Sequence, residues 1–286
     1  PLLRADPPSL SLSEAKAYKL GRGKFLVKGD PVIGVELGGQ ARAYPLRFLD
    51  FHELVNDTVG DVPIAIAWSP LSGTAAVFQR RVGGTRLELE PSGLLSNCVS
   101  LLADNASPPS LWSPVHGKAV AGPAAERGET LTRVPFVLMR WSDWSDAHPK
   151  TRVLQPAPEL VKVYKTVPYR AYLGSDELRF PAAPLAPADA GAALGIKLLN
   201  KTPILAVTVQ GQRLVYPMPL IAARAGADGL WKTTQNGQPL EFRYWPGNRS
   251  DNPPTAVVSG AAEAVLVLPS YWFAWHANYP DDVLAQ

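Results

Sequence analysis

Residues 62–78 read V-P-I-A-I-A-W-S-P-L-S-G-T-A-A-V-F. Val62, Ile64, Ile66 and Trp68 alternate with smaller residues, the period-two pattern of a strand with one heavily buried face. Ser69-Pro70-Leu71-Ser72-Gly73 breaks that pattern. Proline presets φ and glycine permits a positive φ, so these five residues predict a tight turn. Thr74 to Phe78 is again β-prone, and Gly83-Gly84 predicts a second hairpin turn. A bent polar loop between two apolar strands is where a scaffold can present reactive groups; it is also what an ordinary β-turn looks like.

Upstream, Val32, Ile33, Val35 and Leu37 lead through a Gly38-Gly39 turn into Ala41 to Tyr44, which predicts a β-hairpin. Pro45 suits the first turn of a helix. Phe48, Phe51, Leu54 and Val55 follow at helical spacing and predict a short helix through about Asn56, with His52 and Asn56 four apart on one face. Residues 1–29 are expected to be an N-terminal arm with a short helix near Ser13 to Tyr18.

An internal repeat organises the rest. Pro31 to Leu46 aligns without a gap on Pro203 to Met218, an offset of 172 positions. Pro31/Pro203, Val35/Val207, Gly39/Gly211, Gln40/Gln212, Tyr44/Tyr216 and Pro45/Pro217 are identical. Trp141-x-x-Trp144 with Pro149 recurs as Trp272-x-x-Trp275 with Pro280, offset by 131. Two matches in the same order predict a tandem duplication with a shortened second copy. The second copy shows no counterpart of the serine loop or of His52. Any site is therefore expected in the first copy, supported or covered by the second. Pro181 to Ala193, rich in Ala and Pro, is expected to be a linker. The boundaries are an arm 1–29, a first lobe 30–155, a connecting region 156–202 and a second lobe 203–286.

Several ordered motifs carry a family resemblance. They are Asp30-Pro31-Val32-Ile33-Gly34-Val35-Glu36, Ala41-Arg42-Ala43-Tyr44-Pro45-Leu46, His52-Glu53-Leu54-Val55-Asn56-Asp57 and Ser69-Pro70-Leu71-Ser72-Gly73-Thr74-Ala75. Trp112, Ala147-His148-Pro149, Val153-Leu154, Trp272-Phe273-Ala274-Trp275 and Tyr279-Pro280-Asp281 continue them. In this order they resemble the prokaryotic family filed as domain of unknown function 3179. Members of that family typically carry Cys-Pro-Leu-Cys-Gly-Thr at the loop, some with selenocysteine. Here Ser69 and Ser72 occupy the two thiol positions, naturally or by engineering. A Cys-x-x-Cys pair implies thiol redox work or metal binding, which a serine hydroxyl does not perform without a strong neighbouring base. Relatives often carry export signals, so the resemblance implies an extracytoplasmic location, periplasmic or secreted.

The 286 residues can bury a sizeable core, and 46% hydrophobic with 19% charged residues fits a globular protein. The net charge is +3, but Lys and Arg are scattered, with no basic cluster of the kind nucleic-acid surfaces show. No stretch approaches the roughly 20 apolar residues of a membrane span. With Cys98 as the single cysteine no intramolecular disulfide forms, and the residue is expected to be a buried small apolar group. His52, His116, His148 and His276 show no metal-ligand spacing, and no Gly-x-Ser-x-Gly or phosphate-cradling glycine pattern occurs.

These observations predict a β-dominated α+β protein of two tandem-duplicated lobes packed as one compact body. The expected function is a non-enzymatic extracytoplasmic binding or accessory subunit, partnered by a larger protein assembly. The alternative is a thiol-redox or metal-handling protein inactive here because of Ser69 and Ser72. No catalytic residue, metal or cofactor is expected. A binding site is expected at Ser69, Ser72, Gly73 and Thr74, flanked by His52, Asn56 and Trp112. The bent loop converges its hydroxyls and N–H groups there.

Overall fold

A computed structural model describes residues 20–156, 160–247, 254–260 and 265–286. The helix expected near Ser13 to Tyr18 lies outside them. The opening stretch forms the expected hairpin: strands Val62–Ser69 and Thr74–Gln79 pair antiparallel, with Ser69 opposite Thr74. Leu54–Val59 pairs along the other edge of Val62–Ser69. The alternation of large and small residues has a cause beyond one buried face. Ile64, Ile66, Trp68, Ala75 and Val77 face one hydrophobic cluster. Ala65, Ala67, Ala76 and Phe78 face another, which holds the fully buried Trp112 and Trp275. Small residues on that second face leave room for the large indoles.

Pro31–Leu37 and Gln40–Pro45 form the hairpin predicted from the glycine turn, in a five-stranded sheet with Val137–Arg140, Arg152–Leu154 and Leu20–Gly21. A helix, Leu46–His52, follows directly. It stops earlier than expected. Glu53 turns left-handed at φ 57° while its N–H donates to Leu49 O, and Asn56 falls within the strand Leu54–Val59. His52 and Asn56 therefore share no helix face. The β-branched Val55, Thr58 and Val59 pair with the hairpin, and that pairing outweighs the helical spacing of Leu54 and Val55.

The same order of elements recurs in the C-terminal half. Strands Pro203–Val209 and Gln212–Pro217 and helix Met218–Arg224 stand 172 positions after their counterparts at both ends of every element. Pro203–Val209 pairs with Val265–Tyr271, as Pro31–Leu37 does with Val137–Arg140. Each of these partner strands runs into a Trp-x-x-Trp helix, Trp141–Ala147 or Trp272–Asn278. The sheet Leu230–Gln235, Gln238–Trp245, Thr255–Gly260 likewise matches the three-stranded sheet of the opening hairpin. So a strand pair does stand where the serine-loop hairpin would be, although much of its connection lies outside the described residues. Among the described residues, a four-stranded sheet, Leu89–Ser96, Val99–Asp104, Leu111–Ser113 and Lys118–Ala121, in the first half has no counterpart in the shorter second half.

The connecting segment runs along the body. Tyr164 packs on Phe48 with ring centroids 4.4 Å apart, and the Tyr172 hydroxyl donates to Leu71 O at 2.8 Å. Within the expected linker, Ala182 is buried in the core and Ala183 N–H donates to Asn97 Oδ1 at 3.3 Å. The Ala/Pro composition there supplies small, stiff packing units rather than a free tether.

Candidate functional site

The serine loop is a sealed joint between the halves. Ser72 N–H donates to Ser69 O at 3.2 Å, closing the turn. Ser69 Oγ accepts from Ser100 N–H at 3.2 Å and from the Ser100 hydroxyl at 3.3 Å. The Ser72 hydroxyl donates to Thr74 Oγ1 at 2.9 Å, and Thr74 Oγ1 lies 3.0 Å from Ser270 Oγ. Tyr271 N–H donates to Ser72 O at 2.7 Å. Ser270 and Tyr271 end the strand of the second half, so that half covers the loop. Ser69 and Ser72 are 3% and 0% exposed, with their hydroxyls satisfied. Among the described residues no histidine or carboxylate bonds either hydroxyl directly; Glu53 reaches Ser69 only through Ser100. Such a cluster can hold two halves together, but it presents no activated nucleophile.

The flanking residues expected at the loop bond elsewhere. His52 Nε2 meets the Tyr164 hydroxyl at 2.6 Å. Asn56 Nδ2 donates to Leu89 O at 2.7 Å, and Trp112 Nε1 to Asp104 Oδ2 at 2.9 Å. His52 Nδ1 and Asn56 Oδ1 are buried without a partner among the described residues. His116 is held by Ser113 at 2.9 Å and packs beside Tyr279 with the rings tilted at 51°. Cys98 is buried, and burial pushes its thiol up to about 11, which leaves it inert. Among the described residues no group of three or more His, Cys, Asp or Glu side chains is arranged to hold a metal ion.

One face of the joint does reach open space. Gly73 and Tyr271 line a cleft of about 610 Å³ whose lining comes from both halves of the chain. Its walls are the starts of both hairpins and both following helices, Pro31 and Leu46 on one side and Pro203 and Met218 on the other. Asp50, Trp68, Tyr164 and Ser270 also line it. This volume is in the range of small-molecule sites. Gly73 adopts φ 62°, and a Cβ there would sit 2.9 Å from the Tyr271 ring, so the glycine lets that ring approach the turn closely. Sequence reasoning missed Asp50, Tyr164 and Tyr271, which converge from three distant segments; Asp50 among Phe48, Leu49 and Phe51 was the visible signal.

The cleft has a distinct charge pattern. Trp68 Nε1 donates to Asp50 Oδ1 at 2.9 Å. Asp50 keeps part of its surface open to the cleft but lies deep in the body. Burial raises its carboxyl to about 6, against the opposing effect of the Trp68 bond. Burial, with the neighbouring Asp50 charge, also raises the Tyr271 phenol, which stays neutral and can donate. Arg47 is tied to Asp30. Lys201 Nζ is spent on the carbonyls of Tyr172, Ser175 and Glu177 at 2.5, 2.5 and 2.6 Å.

Two buried groups give opposite pH signatures. His52 is lowered to about 4 by burial. As pH falls from about 6.5 the unfolded chain takes a proton that the native state refuses, so this group makes acid destabilising. Asp50 is raised to about 6. As pH rises from about 4 the unfolded chain loses a proton that the native state keeps, so this group makes alkali destabilising over that window. Each slope is at most about 1.4 kcal/mol per pH unit, and between pH ~4 and ~6 they oppose each other. Denaturant titrations across that window should show Asp50→Asn falling more steeply in acid than wild type, and His52→Gln falling less. Parallel curves for all three proteins would show that these groups titrate normally.

The fold and cleft thus define a β-dominated protein of two similarly built halves with a small-molecule-sized cavity at their junction. The family model described as "Protein of unknown function (DUF3179)" matches residues 6–262, and the chain belongs to that family. No curated protein and no solved structure matches it.

Proposed function

We propose that this chain is a non-enzymatic binding protein that holds a small apolar ligand in the cleft between its halves. The observation that carries this is the cavity of about 610 Å³ at the junction, lined by Asp50, Trp68 and Tyr271 among others. Support comes from the unused capacity of its polar groups: Asp50 Oδ2 and the Tyr271 hydroxyl have no hydrogen-bond partner among the described residues. Its extracytoplasmic location, its accessory role in an assembly and its origin by tandem duplication belong to the same proposal. The matched bounds of the repeated elements support the last of these. No described helix is long and apolar enough to cross a membrane.

A thermal-shift screen against a metabolite library tests the binding role. A ligand present at a hundredfold excess over its Kd stabilises the native state by about 2.7 kcal/mol. That should raise Tm by roughly 5–10 °C for a chain of this size. Thr166→Trp, at the exposed mouth of the cleft, should cancel the shift while lowering the unliganded Tm only slightly, since it gives up one exposed bond from Thr166 Oγ1 to Val163 O. A library without a hit, or hits indifferent to Thr166→Trp, would reject the cleft as the site.

The thiol-redox alternative meets an obstacle in the sealing of both loop positions. Ser69→Cys with Ser72→Cys should fold, yet react with a thiol reagent at least tenfold more slowly than in denaturant, since each site is under 4% exposed. Fast reaction in the native state, or stoichiometric zinc uptake, would instead favour the redox or metal-handling role.

A further inference from the structure

Among the described residues the cleft is short of a cation. Asp50 keeps one carboxylate oxygen free, and no lysine or arginine among the described residues pairs with it. Arg47 is neutralised by Asp30, and Lys201 is held by three backbone carbonyls. Lys165 and Arg170 line the cleft from an exposed segment at its mouth. A buried carboxylate without a counter-ion is costly, and it becomes favourable when a ligand brings the missing charge. Trp68 and Tyr271 stand next to it and Tyr164 lines the same cleft, and the faces of such aromatic rings attract cations. The Tyr271 ring is fixed against Gly73, and its hydroxyl, unbonded among the described residues, is available as a further acceptor. Leu46, Leu138, Ile204 and Met218 supply the apolar walls.

We propose that the cleft floor is an ammonium site, in which an apolar molecule ending in a protonated primary amine seats that amine on the Asp50 carboxylate beside Tyr271 and Trp68. This rests on the cleft being the ligand site and adds the chemical class of the ligand. The amine donates to Asp50 Oδ2 and to the Tyr271 hydroxyl oxygen, while Trp68 Nε1 keeps Asp50 Oδ1 oriented. The apolar body lies along the leucine and methionine walls.

Calorimetric titration with octylammonium, octanoate and octanol, three probes with the same apolar chain, tests the class. Octylammonium should bind one to one and at least about tenfold more tightly than either other probe. Asp50→Asn keeps the shape and an acceptor for Trp68, and should lose about tenfold or more for octylammonium while leaving octanol unchanged. Tyr271→Phe keeps the ring and should lose about threefold. Octanoate or octanol binding as tightly as octylammonium to the wild-type protein would overturn the ammonium site, and Thr166→Trp would show whether they still occupy the cleft. Binding of octylammonium that ignores Asp50→Asn would overturn it as well. Absence of saturable octylammonium binding does the same, and the metabolite screen then decides separately whether the cleft binds anything.

Discussion

Replacing Gly73 with alanine should destabilise the protein by about 2–5 kcal/mol, a loss of roughly 10 °C in Tm. Two costs add. At φ 62° an L-residue crowds its own backbone, which costs about 1–2 kcal/mol. The new Cβ would also stand 2.9 Å from two atoms of the Tyr271 ring, and the bond from Tyr271 N–H to Ser72 O keeps the two backbones from moving apart to relieve the contact. Overpacking of that kind costs typically about 1–3 kcal/mol. Gly83→Ala is the matched control. It has φ 54° and nothing within 4 Å of its Cβ, so it should show the backbone cost alone. Equal losses for the two variants would mean that Tyr271 does not press on the turn. A loss confined to Gly73→Ala, with weakened ligand binding, would tie the turn to the cleft floor.

Arg80→Met should cost about 3–5 kcal/mol, read from denaturant midpoints. Arg80 is 1% exposed at the end of the strand that leaves the serine loop. Its guanidinium donates to Ile64 O at 2.8 Å, Leu87 O at 2.5 Å and Asp57 O at 3.2 Å, and pairs with Glu88 at 2.9 Å. Methionine fills much of the same volume but leaves those carbonyls without a donor. Each buried acceptor left unpaired costs about 1–3 kcal/mol, and the half-exposed Glu88 adds little. Arg80→Lys should recover only part of the loss, because one ammonium cannot span carbonyls on three separate strands and loops. A change below about 1 kcal/mol for Arg80→Met would mean that water replaces the guanidinium at little cost.

Local rules made much of this fold legible. Glycine pairs fixed the turns after Leu37 and Val82, the Pro-x-x-Gly loop joined two apolar strands, and the recurrence of Pro31 to Leu46 anticipated a second strand–turn–strand–helix unit. Glu53 was not legible. A left-handed helix stop is usually glycine or asparagine, and a glutamate gives no warning of one. The strand Leu54–Val59 was hidden behind a short run of helical spacing that tertiary pairing overrode. At the site, the loop was visible as a special turn, but its burial depended on Ser270 and Tyr271 arriving from the far end of the chain. The cleft was illegible for the same reason. Its floor is an aspartate from a helix, a tryptophan from a hairpin and a tyrosine from a distant strand, and no local spacing connects them.

A crystallographic fragment screen tests the central claim, that the cavity between the halves is the ligand site. Hundreds of small fragments soaked into crystals report directly which surface of the molecule captures ligands. Fragments should accumulate in the cleft between Asp50 and Tyr271, with amine-bearing ones directed at the Asp50 carboxylate. A cleft that stays empty while fragments gather elsewhere, or side chains that close it entirely, would contradict the account.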